Sequence, residues 1–189
     1  MDSPTDSRRK DDRIWLYVGV AFAIFWGLYL AVFNPSAPRE GPSLAAPAPS
    51  LPADYDWAPT DLDGNPVIFR KFQGKPVFLN IWATWCGPCL SEMPSIAKLS
   101  ADPRLRGKVE FVCVSIDSRP GIVKSFVADR DWSMTMLHTE DLPNVFLTEG
   151  IPATFILSPD GKIVAREVGS AVWDGPEVVD FLERLAASK

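Results

Sequence analysis

Two cysteines, Cys86 and Cys89, stand in the spacing C-x-x-C with Gly87 and Pro88 between them. The residues just before, Val77 to Trp82, are apolar and rich in β-formers, the pattern of a short buried strand. Pro88 suits the first turn of a helix, where a missing N–H costs nothing. The pattern therefore predicts Cys86 at a helix N-terminus and Cys89 one turn inside it. The free amides and dipole at that end favour an anion, so the Cys86 thiolate is stabilised and its pKa falls. Cys89, at i+3, lies on the same face and can close a disulfide with Cys86. These residue types at this spacing make a reversible dithiol switch, with Cys86 as nucleophile and Cys89 as the resolving thiol.

Other chemistry for the pair fits less well. A structural zinc site needs further ligands, yet no second C-x-x-C is present and His138 is the single histidine. Covalent haem needs C-x-x-C-H, and residue 90 is Leu90. The reading assigns no metal and no cofactor. Cys113 sits mid-strand in Phe111-Val112-Cys113-Val114, the place of a buried, inert thiol. Trp85 is expected to cover the dithiol and offer an apolar contact, and Trp82 to belong to the core. Glu92 lies i+3 from Cys89 and so shares a helix face with it. Asp117 ends the strand that contains Cys113, a place from which it could approach the active-site face, and it is assigned no role.

The elements that must hold these residues are drawn from the rest of the chain. It has 189 residues, 47% of them hydrophobic, and a net charge of −5. The acidic excess falls after residue 53, where no Lys/Arg run occurs, so nucleic-acid binding is not supported. Residues 1–13 carry Arg8, Arg9, Lys10 and Arg13, and 14–33 are uncharged and almost wholly apolar, the length of a transmembrane helix. The positive-inside rule keeps 1–13 cytoplasmic and exports the chain beyond residue 33. A cleaved signal peptide is the alternative, against which the length of the run argues. Residues 34–53, rich in Pro, Ala and Ser, read as a semi-stiff tether. Residues 54–189 read as one α/β domain. A hairpin is expected from Tyr55 to Phe69 around Asp63-Gly64-Asn65-Pro66, then strand Val77–Trp82 and a helix to about Ser100, kinked at Pro94. Strand Val109–Ile116, helix Arg119–Asp131, a short strand Thr135–His138 and a short helix Asp141–Leu147 come next. Strands Ala153–Leu157 and Lys162–Val168 flank the turn Ser158–Gly161, and a capping box at Asp174–Glu177 opens a last helix. That order builds a mixed sheet covered on both faces.

The run Trp85-Cys86-Gly87-Pro88-Cys89, with Gly150-Ile151-Pro152-Ala153-Thr154-Phe155 further along, resembles the thioredoxin fold. The N-terminal hairpin, the anchor and the pattern from Asn80 through Glu92 and Pro94 are similar to the membrane-anchored TlpA/ResA-like branch of thiol–disulfide oxidoreductases. The resemblance implies a cis peptide before Pro152, facing the dithiol, and a client peptide paired with the backbone of Ile151. Trp85, Pro88, Ile151 and Pro152 then form the client-binding set. Thioredoxins carry a buried Asp where this chain has Asn80, so the resemblance passes proton transfer at Cys89 to Glu92. The Gly-Pro dipeptide is that of thioredoxin, a reductant, which favours reduction of client disulfides. A DsbD/CcdA-like membrane protein would supply the electrons in the bacterial inner membrane, and clients would be of the cytochrome c or oxidase biogenesis type. Two other readings stay open: a disulfide-forming oxidant, and a copper-binding assembly factor using Cys86, Cys89 and His138.

Overall fold

The computed structural model describes residues 6–32, 41, 42, 44 and 51–188, with side chains on the first helix described at 15–29. The chain divides into two units, residues 1–35 and 36–189. The first unit holds one helix, α1 (Asp6–Val32), on which Phe22, Trp26 and Tyr29 stack in turn. Its described side chains are all exposed. Among the described residues no helix is long and apolar enough to cross a membrane. Residues 1–5 of the expected cytoplasmic segment, Phe33 of the expected span, and 34–40, 43 and 45–50 of the expected tether lie outside the described residues.

The second unit is built on β1 (Leu51–Pro52), β2 (Val77–Trp82), β3 (Glu110–Ser115), β4 (Thr135–His138), β5 (Ala153–Leu157) and β6 (Lys162–Val168). They form one mixed sheet in the order β1-β6-β5-β2-β3-β4. The central strand β2 is parallel to β3 and antiparallel to β5, and all six of its residues are buried. Its side chains alternate between two cores, as a period of two requires. Phe78 and Trp82 join Met93, Ile96, Trp173 and Leu182 on one face, packed by α2 (Gly87–Ser100), α3 (Pro120–Val127) and α4 (Pro176–Ala187). Val77, Leu79 and Ile81 face the other way, against Phe69, Phe72, Phe146 and Phe155. The helical cover on that second face is two single 3-10 turns, Phe69–Phe72 and Asn144–Phe146. The expected mixed sheet flanked by helices is therefore present, with unequal cover on its two sides.

Several expected elements differ in form. The N-terminal hairpin extension is not a pair of strands. Phe69 N–H donates to Trp57 O, Val67 N–H to Pro59 O and Asp61 N–H to Asn65 O, but only Thr60 and Pro66 bridge as in a sheet. Pro59, opposite Val67, has no N–H to return to it, so the ladder cannot be completed. The turn closes instead on the Asp61 carboxylate, which accepts from the amides of Asp63 and Asn65. The helix expected over Asp141–Leu147 shrinks to the Asn144–Phe146 turn behind Pro143, and the one over Arg119–Asp131 stops at Val127. No kink is needed at Pro94, which lies exposed inside an unbroken α2. The capping box at Asp174–Glu177 does not form: the cap is Gly175, without a side-chain bond, and Asp174 pairs with Lys98 at 3.3 Å. The sheet also starts inside the stretch read as tether, where Leu51 and Pro52 pair with Ile163 and Lys162.

Phe69 is the hub of the helix-poor face. It is fully buried, and the rings of Tyr55, Trp57, Phe72 and Phe146 surround it at centroid distances of 5.3 to 6.4 Å. No α-helix is available there to close over a void. Phe69→Ala is expected to lower the unfolding free energy of the domain by about 3–5 kcal/mol, read by urea denaturation.

Candidate active site

The sheet delivers Cys86 to its position. β2 ends at Trp82, the chain turns tightly so that Cys86 N–H donates to Ala83 O at 3.2 Å, and α2 begins at Gly87. Cys86 is the N-cap of α2, and its Sγ accepts the Cys89 amide at 3.2 Å. A sulfur thus takes the place that a Ser or Asp oxygen fills at most helix starts. The two cysteines are joined as a disulfide, with Cα atoms 5.2 Å apart. Cys86 is 5% exposed and Cys89 fully buried, while Trp85 beside them is 68% exposed.

The second half of the site comes from the loop before β5. The Ile151–Pro152 bond is cis, and the carbonyl oxygen of Ile151 lies 3.7 Å from Cys86 Sγ. Cys86, Cys89, Ile151 and Pro152 are therefore brought together, with Pro88 half-buried in the first turn of α2. His138 is not part of this group. Its Nε2 lies 2.6 Å from the carbonyl oxygen of Asp117. Among the described residues no cluster of three or more His, Cys, Asp or Glu could hold a metal ion, so the three ligands of the copper reading are not assembled.

Glu92 departs most from an ordinary helix glutamate. It is 1% exposed, held between α2, β2 and the segment before α4. Its Oε1 accepts from Asn80 Nδ2 at 2.8 Å, and its Oε2 from Trp173 Nε1 at 3.0 Å and Ala171 N–H at 3.2 Å. Burial pushes its pKa up to about 7, against the lowering effect of the Trp173, Ala171 and Asn80 hydrogen bonds. Asn80 also donates to Thr154 Oγ1 at 3.0 Å, and its own Oδ1 has no partner. Asn80 pairs across the sheet with Thr154 on one side and Cys113 on the other. Burial pushes the Cys113 thiol up, and the neighbouring Glu92 carboxylate adds to that, both disfavouring a thiolate there.

Trp173, Thr154 and Thr84 are not marked in the sequence as parts of the site, and Asp117 is marked there only by its place at a strand end. Thr154 comes opposite Asn80 only through the register of β5 on β2, which the sequence does not show. Trp173 likewise has no signal: it lies in an aperiodic stretch and reaches Glu92 only through the fold.

A helix-start cysteine pair beside a cis-proline serves one chemistry, the exchange of a dithiol for a disulfide, and the chain is a thioredoxin-like thiol–disulfide oxidoreductase. It belongs to the Redoxin family, whose profile matches residues 45–182. It is 34% identical over 169 residues to the thiol-disulfide oxidoreductase ResA of Bacillus thuringiensis subsp. konkukian, covering 88% of each chain. Against ResA of Bacillus subtilis the identity is 26% over 165 residues, with 86% of this chain and 88% of that one covered. Among solved structures, a thiol:disulfide interchange protein of the thioredoxin family from Chlorobium tepidum superposes with a TM-score of 0.60 at 24% identity, covering 73% of this chain and 99% of that one. The resemblance to ResA-like thioredoxin-fold proteins thus holds over the whole folded domain.

The raised Glu92 pKa has a consequence for stability. The unfolded chain releases this proton near pH 4.5 and the folded protein near pH 7, so the folded state holds more protons between them. Stability linked to Glu92 is complete below pH 4.5 and is lost as pH rises through 7. Glu92→Gln removes that loss. The unfolding free energy of the oxidised Gln variant minus that of the wild type is expected to rise by about 3 kcal/mol from below pH 4.5 to above pH 7, measured by urea titration at each pH.

Proposed function

We propose that the protein is held on the exported side of the bacterial inner membrane by α1 and reduces disulfides of client proteins through Cys86 and Cys89. The observation that carries the chemistry is the Cys86 sulfur at the N-cap of α2, accepting the Cys89 amide at 3.2 Å. The same amide that faces the disulfide sulfur would stabilise a thiolate there after reduction. In the reaction, the Cys86 thiolate attacks a client sulfur, forming a mixed disulfide and releasing the client's first thiolate. Cys89 then attacks Cys86 Sγ, releases the second client thiolate and leaves the Cys86–Cys89 disulfide. Two electrons pass from the dithiol to the client.

Glu92 is the proton acceptor for Cys89 in this reading. It lies one turn further along α2, it is closed off from water, and its pKa of about 7 lies within reach of a thiol. Trp85, exposed beside the pair, Pro88, and the Ile151–Pro152 edge receive the client peptide. The uncharged run 14–33, the helical backbone to Val32 and the exposed apolar side chains of α1 support the anchor. An exported reductant needs electrons from the cytoplasm, which a DsbD/CcdA-type membrane protein would pass to it. Cytochrome c and oxidase biogenesis supply clients of suitable chemistry, namely cysteine pairs that must be reduced before a haem or a metal is inserted.

Trapping tests the client reading. In Cys89→Ala the mixed disulfide on Cys86 should persist, and mass spectrometry of membrane and exported fractions should recover a cysteine-pair protein; an empty trap would count against it. A reduction potential near that of thioredoxin, about −270 mV, supports the reducing direction, whereas one near about −120 mV would reverse it. Deleting residues 1–33 should release the domain from the membrane fraction to the soluble one, and a domain still retained would remove α1 as the anchor.

A further inference from the structure

We propose that Asp117 is a positioning residue for the thiol chemistry: through Thr84 it sets the turn that places Cys86 at the start of α2. Asp117 is only 2% exposed, and among the described residues no lysine or arginine pairs with it. A buried carboxylate of this kind is retained only where donors replace its water. Two of those donors come from one residue. Thr84 N–H reaches Oδ2 at 2.9 Å and Thr84 Oγ1 reaches Oδ1 at 2.7 Å, so the carboxylate grips Thr84 at both oxygens. Ser115 Oγ donates to Oδ2 at 2.6 Å and also accepts the Asp117 amide at 3.0 Å, which fixes the carboxylate to its own strand. On the far side, His138 Nε2 at the end of β4 contacts the Asp117 carbonyl oxygen at 2.6 Å. Burial pushes the Asp117 carboxyl up, but the bonds from Ser115 and Thr84 and the nearby His138 outweigh it and hold the group below its ordinary range.

The grip falls where the geometry of Cys86 is decided. β2 and β3 run parallel with Trp82 opposite Ser115, and Ile116 N–H donates to Trp82 O at 3.0 Å. The two strands therefore leave the sheet side by side, and Thr84 and Asp117 clamp their exits two residues later. Thr84 is the second residue of the tight turn closed by Cys86 N–H and Ala83 O. A rotation at Thr84 would carry Cys86 Sγ away from the Cys89 amide, the contact that favours its thiolate. Asp117 touches no reacting atom and acts on Cys86 only through Thr84.

The inference rests on Cys86 being the attacking thiol, and the experiment separates the two claims. The fully reduced wild type, Thr84→Val and Asp117→Asn are alkylated with iodoacetamide across pH, and each cysteine is monitored by peptide mass spectrometry. Thr84→Val keeps the shape and the Thr84 amide but loses one of the two bonds. If Asp117 positions the turn, the midpoint for Cys86 rises by about one pH unit in both variants, a tenfold loss of thiolate below the midpoint. If Asp117 acted only by its field, Asp117→Asn would lower the midpoint and Thr84→Val would leave it in place. That outcome, or midpoints equal to wild type in both folded variants, overturns the proposal. Thr84→Val decides alone if Asp117→Asn does not fold. Wild-type protein alkylated first at Cys89 would overturn the reading of Cys86 itself, whatever the variants do.

Discussion

The site depends on one contact, the amide of Cys89 directed at the sulfur of Cys86 across 3.2 Å. A helix can begin on a cysteine sulfur only if the chain reaches that point without adjustment, because sulfur accepts a hydrogen bond weakly and cannot by itself hold a frayed end in place. The support is supplied from outside the helix. β2 is buried on both faces and bonded on both edges. Gly87 and Pro88 then start α2 without demanding further partners, since Pro88 has no amide to satisfy. The disulfide, and any thiolate formed from it, therefore sits one tight turn beyond the end of a fully paired strand.

The second constraint is the polar row laid through the apolar face beneath α2. Thr154, Asn80, Glu92 and Trp173 join β5, β2, α2 and the segment before α4 by hydrogen bonds of 2.8 to 3.0 Å. A carboxyl in such a place is held near neutrality in pKa because burial opposes its charge while three donors favour it. The row also explains why an amide suits position 80. An aspartate there would set two carboxyls against each other at hydrogen-bond distance, and only one of them could ionise. Asn80 donates instead, so that Glu92 keeps the titration to itself.

Much of this is legible in the residues. The strands at Val77, Thr135, Ala153 and Lys162 and the helix from Gly87 to Ser100 come from apolar runs and from Gly and Pro punctuation, and the structure keeps their limits. The hairpin before them misleads because turn residues and apolar flanks say nothing about missing donors, and Pro59 lacks an amide that the ladder needs. Glu92 can be singled out from its spacing to Cys89, whereas its cage cannot, since Ala171 and Trp173 lie about 80 residues further on. Asp117 passes without a role for a related reason. Its partner Thr84 is 33 residues away, and only the parallel register of β2 and β3 brings the two strand exits together. Local pattern reports periodicity and punctuation; contacts made by register alone leave no mark in it.

Burial orders the proposed chemistry. Cys89 has no exposed surface and Cys86 has little, and Ile151 presents its carbonyl oxygen 3.7 Å from Cys86 Sγ. In the proposed reaction a client sulfur would reach Cys86 rather than the buried Cys89, past the exposed ring of Trp85 and the cis-proline loop. Cys89 then meets a single partner, the Cys86 sulfur already bonded to the client, so resolution cannot be diverted to a second client. The same burial raises the cost of charging Cys89, which makes a neighbouring acceptor that is itself buried and near neutral pKa the natural complement. In the proposed mechanism, the burial that protects the resolving thiol is thus also what gives it a use for Glu92.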